Sequence, residues 1–298
     1  MKKYTVTIFG LFICALLQAQ NTVGVIFPSS WTERDPASLA VAGSDYADLG
    51  STAYASFRNP AVLGMSESKL QAGAAWSNWN NELNLAAGAS FKIGKSFGIS
   101  AGYMLQSALK DVASDAGGNT FRPSDNMINL GLGFKVAPFL GFGVNAHYTM
   151  QKMDVDVTSG TFFADVYAQG VLGPVAFSAG VTGLGPGLKS LSGVQFALPA
   201  MAKISVVGNL PLGFTAMAGS EIGFNGGFAV SAGARYSFRD IVFASLGYRY
   251  ANAKSVAPSY FSAGLGARFA GVQVNITYIT GESALMKNII SAGISFRI

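Results

Sequence analysis

The sequence is poor in the residues that carry enzymatic or metal chemistry, and poor in charge. Among its 298 residues there is one cysteine, Cys14, and one histidine, His147. A disulfide framework is therefore excluded, and so is any thiolate or multi-imidazole metal centre. Charged residues make up only 12% while half the residues are hydrophobic, the reverse of a disordered chain. Beyond the N-terminus there is no apolar run of about 18 residues, so membrane-spanning helices are excluded as well. The formal charge of +5 falls to about +3 if Lys2 and Lys3 are removed, too little to point to nucleic acid.

What remains is a membrane-like composition without helical spans. Only helices and closed barrels cross a bilayer with every backbone group paired, so the expectation is an all-β, antiparallel, up-and-down transmembrane barrel. The N-terminus agrees with export. Lys2 and Lys3 precede a mostly apolar run from Val6 to Leu17, and Leu17 and Ala19 stand at the small-residue positions of a cleavage site. Residues 1–19 read as a signal peptide, and the expected location is the outer membrane of a Gram-negative cell, in contact with its lipid.

Period-two alternation supplies the strands. Ile290, Ala292, Ile294, Phe296 and Ile298 share one face, and Ser291, Gly293, Ser295 and Arg297 the other. The same template gives fourteen strands near 68–77, 83–92, 97–106, 126–135, 139–151, 161–171, 174–184, 198–207, 212–222, 228–238, 241–250, 259–269, 271–280 and 287–298. Connections after even-numbered strands are short and those after odd-numbered strands are mostly longer, the phase of periplasmic turns and external loops. Trp76, Trp79, Tyr103, Tyr148, Tyr236, Tyr248, Tyr250 and Tyr278 fall near strand ends, where aromatic girdles sit.

Residues 20–66 do not alternate. They are expected to form an N-terminal hatch folded back into the lumen of a barrel spanning 67–298, because a barrel of this width is not filled by its own side chains. Within them, Ala55-Ser56-Phe57-Arg58-Asn59-Pro60-Ala61-Val62-Leu63 closes an Ala/Ser/Asp-rich stretch just before the first strand. This Asn59-Pro60-Ala61 element, the order of hatch then barrel, and the strand count together resemble the FadL superfamily of outer-membrane proteins. That resemblance implies either of two non-enzymatic roles. One is a PorV/PorQ-like component of type IX protein secretion or surface attachment, with secreted proteins or secretion-system subunits as partners. The other is a passive transporter of hydrophobic small molecules. Arg58 departs from the pattern, since an aromatic often precedes the Asn-Pro-Ala element. The external loops are also short for a fatty-acid transporter, so the secretion role is the expected one.

Several residues are candidates for function. Lys92, Lys135, Lys203, Arg235, Arg239, Arg249, Arg268 and Arg297 have lumen parity, with Asp165 and Glu221 as acidic counterparts. Arg235, Arg249 and Arg268 fall on three successive strands and form the expected basic cluster, contacting either the hatch or an anionic ligand. His147 shares a face with Gly143, Asn145 and Thr149 and reads as a hydrogen-bonded lumen residue. The inward glycine pairs Gly131/Gly133 and Gly264/Gly266 lack the strand-helix context of a nucleotide loop, and no catalytic, metal or cofactor constellation emerges. The loops 107–125 and 185–197 are candidate contacts for a partner.

Overall fold

The computed structural model describes residues 33–79, 82–114, 118–189 and 195–298. The expected signal peptide lies outside the described residues. Fourteen antiparallel strands close into a barrel: β1 (Leu70–Ser77), β2 (Glu82–Ile93), β3 (Phe97–Ala108), β4 (Ser124–Ala137), β5 (Leu140–Lys152), β6 (Thr158–Leu172), β7 (Val175–Leu184), β8 (Met201–Asn209), β9 (Phe214–Gly223), β10 (Phe228–Phe238), β11 (Val242–Ala251), β12 (Tyr260–Phe269), β13 (Val272–Thr280) and β14 (Ile289–Arg297). Each strand pairs with its neighbours in sequence, and β14 closes on β1 with Ala74 opposite Ile294. The fold class and strand count expected from alternation are those observed. Closure leaves no free edge, so every strand's backbone donors and acceptors find partners in the ladder.

Side chains follow the parity that the pattern demands. On β4, Ile128, Leu130, Leu132 and Phe134 are exposed on the outer face while Asn129, Gly131 and Gly133 are buried within. Most boundaries fall within two residues of expectation, and two strand starts differ by three. Strand β8 begins at Met201 rather than near 198, because Leu198 packs into a cluster with Met104, Met127, Phe163 and Leu188. Strand β6 starts earlier, at Thr158, and its pairing with β7 shifts register between Ala164 and Val166, at the weakly patterned Asp165.

The connections at one end are tight turns. Those after β10 and β12 carry two consecutive residues with positive φ, Arg239-Asp240 (53° and 56°) and Ala270-Gly271 (48° and 82°), the signature of a type I′ hairpin. At the other end the loops are longer, and two of them hold small hairpins, Val112–Ala113 with Thr120–Phe121 and Leu188–Lys189 with Gln195–Phe196.

Residues 33–66 run against the inward faces of the strands. They contain the short helix α1 (Pro36–Leu39), a 3-10 turn at Ala55–Phe57 and a second short helix, α2 (Val62–Met65). Asp35 caps α1, its carboxylate accepting from the Ala37 amide at 2.9 Å, and Pro36 occupies the first helical position. The fit to the wall is close enough to require glycine. A Cβ at Gly143 would stand 2.3 Å from the Ala61 amide nitrogen, and one at Gly247 would stand 2.4 Å from the Val41 carbonyl carbon. The inward glycines serve backbone approach, which the alternation pattern alone does not reveal.

Candidate functional site

The Asn59-Pro60-Ala61 element is where the inner segment is fastened. Asn59 Oδ1 accepts from the Ala61 amide at 3.0 Å, a local turn that leads into α2. The same side chain donates through Nδ2 to the Tyr46 carbonyl and to Gln169 Oε1 of β6, each at 2.8 Å. Polar groups all round the wall grip the segment's backbone. Asn145 donates to the carbonyls of Ala55 (3.2 Å) and Arg58 (3.3 Å), Ser205 to Ser44 (2.7 Å), and Thr277 to Pro36 (2.6 Å). A segment with so little regular structure leaves many backbone groups unpaired, and these lumen side chains pair them.

An ion network that the sequence reading missed holds the centre of the segment. Arg58, which departs from the aromatic usual at its position, bonds Glu33 at 2.8 Å and Asp45 at 2.5 Å. Its guanidinium also lies over the Tyr46 ring, 4.9 Å from the centroid. Burial alone would raise the Asp45 carboxyl, but Arg58 and Arg235 outweigh it and hold it below its ordinary value. Burial works against the Arg58 charge too, and Asp45, Glu33 and Asp35 more than reverse that, so the guanidinium is held more firmly protonated than usual. Asp35 has no such partner in contact among the described residues, and burial pushes its carboxyl up to about 6, with Arg58 opposing. The signal that could have found this network was compositional: Arg58 is the only cation between Asp35 and Glu67, among four acids.

The three arginines expected to form one basic cluster are divided between the two ends. Arg235 meets the inner segment, at 3.1 Å from Asp48 and 3.3 Å from the Ala37 carbonyl. Arg268 lines the same small cavity near the tight-turn end, bonds Gln273 on the adjacent strand and covers the Phe243 ring. Arg249 sits toward the long-loop end, where it pairs with Glu221 at 2.6 Å. The expectation of a single cluster is corrected: parity placed all three inside, but the strands run antiparallel, so equal parity on successive strands does not mean equal height. His147 is buried as a hydrogen-bonded residue, with Nε2 3.1 Å from Asp165, Nδ1 on Asn129, and its ring stacked on Phe163. Of the candidate partner loops, residues 115–117 and 190–194 lie outside the described residues.

Above the inner segment, at the long-loop end, adjoining cavities open in the lumen, two of which reach the segment itself. The first is walled by Leu39, Trp79, Val256, Tyr260, Ile279 and Met286, with Glu33, Tyr46, Glu221 and Arg249 on its polar side. Trp79 is only 4% exposed and packs here with Leu39, Tyr260 and Ile279, so it belongs to the cavity wall and not to an outer girdle as expected. The second cavity shares Glu33 and Tyr46 with the first and extends to His147, Asp165, Tyr167 and Lys203. Helix α1 separates the first cavity from the small one at Arg235 and Arg268: Leu39 lines one, Ala37 and Ala40 the other.

No family model matches the sequence, and no curated protein matches it. Solved structures do match in fold. The Pseudomonas putida toluene transporter TodX superposes with a TM-score of 0.66 at 11% identity, covering 87% of this chain and 96% of that one. A Pseudomonas aeruginosa FadL homologue gives 0.65 at 9% identity, covering 92% and 99%. The Ralstonia pickettii toluene transporter TbuX gives 0.63 at 11% identity, covering 91% and 99%. At these identities the likeness establishes the architecture, a FadL-type barrel.

Proposed function

We propose that this chain is an outer-membrane channel for hydrophobic small molecules, exported by its N-terminal signal, with its long loops outside the cell and its tight turns in the periplasm. The observation that carries this reading is the cavity at the long-loop end. It is walled by Leu39, Trp79, Val256, Tyr260, Ile279 and Met286 and bounded by a few fixed polar groups, the usual make-up of a small-molecule site. Residues 33–66 act as the hatch. Because α1 stands between this cavity and the one at Arg235 and Arg268, cargo crosses only when the segment shifts. Two of the similar barrels are named toluene transporters, which supports this role over the secretion component that the short loops suggested.

The test is uptake. Proteoliposomes bearing the protein should take up a radiolabelled monoaromatic hydrocarbon faster than empty ones, and Ala257→Trp, which puts a large ring on the cavity wall, should abolish the difference. Equal uptake with and without the protein, over a panel of aromatics and fatty acids, would remove the channel reading.

A further inference from the structure

Charge is spread unevenly around the tight-turn end of the barrel. Arg239 stands in the turn after β10, and Arg268 at the end of β12 lies beside that turn, its amide donating to the Ile241 carbonyl at 2.7 Å. Arg297 ends β14, with its amide on the Gly271 carbonyl at 2.8 Å. Lys69 precedes β1 and donates to the Ile298 carbonyl at 2.9 Å. The Lys92 amide of β2 meets the Lys69 carbonyl at 2.8 Å, Lys95 lies in the turn that follows, and Lys135 of β4 donates to the Ser96 carbonyl at 2.7 Å. These backbone contacts join seven cations into one arc running from β10 through β14 and β1 to β4. The acids along the rim are Glu67 and Asp240, and Asp48 of the inner segment is held by Arg235. None of the seven forms an ion pair with a described residue. Lys92 donates to the Ser66 carbonyl, Arg268 to Gln273, and Arg239 lies over the Phe238 ring, all neutral contacts. At the long-loop end opposite charges are interspersed, as in Lys110-Asp111, Lys152 with Asp154 and Asp156, and Glu282 with Lys287.

The rest of the rim is of the opposite kind. At the tight-turn ends of β5 to β9, residues 138–143, 168–178 and 206–217 contain no charge. Phe139, Leu172, Leu210 and Leu212 are exposed there, Leu212 by 86% within its turn. Large apolar side chains on turns are stabilised by hydrocarbon and not by water, so this end lies flush with the membrane surface. The basic arc then stands at the level of the lipid head groups, which lysine and arginine reach with their long stems. A cluster of about four to eight such cations beside a bilayer recognises anionic lipid. We propose that the arc binds the phosphate head groups of anionic phospholipids in the periplasmic leaflet. Lipid is the occupant, and not an acidic protein, because one molecule supplies what both halves of the rim need: hydrocarbon for the uncharged arc and phosphate for the basic one. The inference goes beyond the channel reading and takes from it only the orientation, with the tight turns in the periplasm, so a failed uptake assay leaves it standing.

The experiment compares the association of spin-labelled phosphatidylglycerol and spin-labelled phosphatidylcholine with the protein in phosphatidylcholine vesicles. Wild type should prefer phosphatidylglycerol at least about threefold at low salt, and less in high salt. One variant combines Lys69→Gln, Lys95→Gln, Arg239→Gln and Arg297→Gln, the four exposed members of the arc. Its preference should fall below about 1.5-fold. A control with Lys110→Gln, Lys254→Gln and Lys287→Gln at the long-loop end should keep the wild-type ratio. Folding of each is checked by heat-modifiable migration on gels. Should the fourfold variant fail to fold, Lys95→Gln with Arg239→Gln, both in turns outside the ladder, decides by a clear drop in the same ratio. No preference in wild type, a preference that the arc variants keep, or an equal loss in the control overturns the proposal. Binding of an octaglutamate peptide to wild type that shows no lipid preference would assign the arc to an acidic protein instead.

Discussion

The wall and the segment it encloses are held by different physics. The barrel is stabilised redundantly: each of its fourteen strands is laddered to two neighbours, and no single side chain carries the closure. The segment 33–66 has only two four-residue helices and a 3-10 turn of its own. It depends on a handful of buried polar contacts and on glycines that let backbone meet backbone. A mutation in one place should therefore be absorbed by the wall and felt acutely by the segment.

The contrast is broken most severely at Gly143. Gly143→Val would drive side-chain carbons into Pro60 and Ala61, and the inner segment should leave its seat. Limited proteolysis should then cut within 33–66 while the barrel still migrates as a folded species. If the segment stays protected, the close approach is not what positions it. Next in size is Arg58→Met. It strands Glu33 and Asp45 in a buried site, which typically costs about 3–5 kcal/mol. Hydrogen exchange should show amides in 33–66 opening at least a hundredfold more often, with β1–β14 unchanged. Equal exchange in wild type and variant would mean the network contributes nothing to holding the segment.

A smaller effect follows from Asp35. Its folded value of about 6 lies above the ordinary 3.8, so the docked segment binds a proton more tightly than the released one. Docking is then strongest below about pH 4, weakens as pH rises toward 6, and is flat above it, a difference of at most about 3 kcal/mol. Asp45 is shifted in the opposite direction, and its contribution is lost only as pH falls below the ordinary carboxylate range. Asp35→Asn should flatten the slope between pH 4 and 6 and strengthen docking at pH 7; exchange rates of the 33–66 amides measured across that range check the sign. The smallest effect belongs to the wall. Ala270 sits at φ 48°, and Ala270→Gly relieves a left-handed alanine worth about 1 kcal/mol, raising the unfolding midpoint slightly without touching the segment.

The same contrast explains what could be read in advance. Residues such as Ile290 to Ile298 announce their strand because lipid and lumen impose opposite demands on alternate positions, and that rule is local. Strand β8 could not be delimited this way, since Leu198 is apolar for a tertiary reason, its packing against Met104 and Phe163. The inner segment obeys no period. Asn59-Pro60-Ala61 could be marked by resemblance, but that Arg58 replaces an aromatic in order to bind Glu33 and Asp45 depends on residues brought together across 25 positions of chain. Parity likewise put Arg235, Arg249 and Arg268 inside and said nothing of height. The cavity wall was least legible, because Trp79 and Met286 come from separate loops and meet only in the folded barrel.

The central claim is that residues 33–66 occupy the lumen and close it to ions. Planar-bilayer conductance measures this directly, comparing the intact protein with a variant from which 33–66 is deleted and whose barrel is confirmed folded. The account predicts little or no ionic current from the intact protein and a large, steady pore from the deletion. Equal conductance from the two would contradict it.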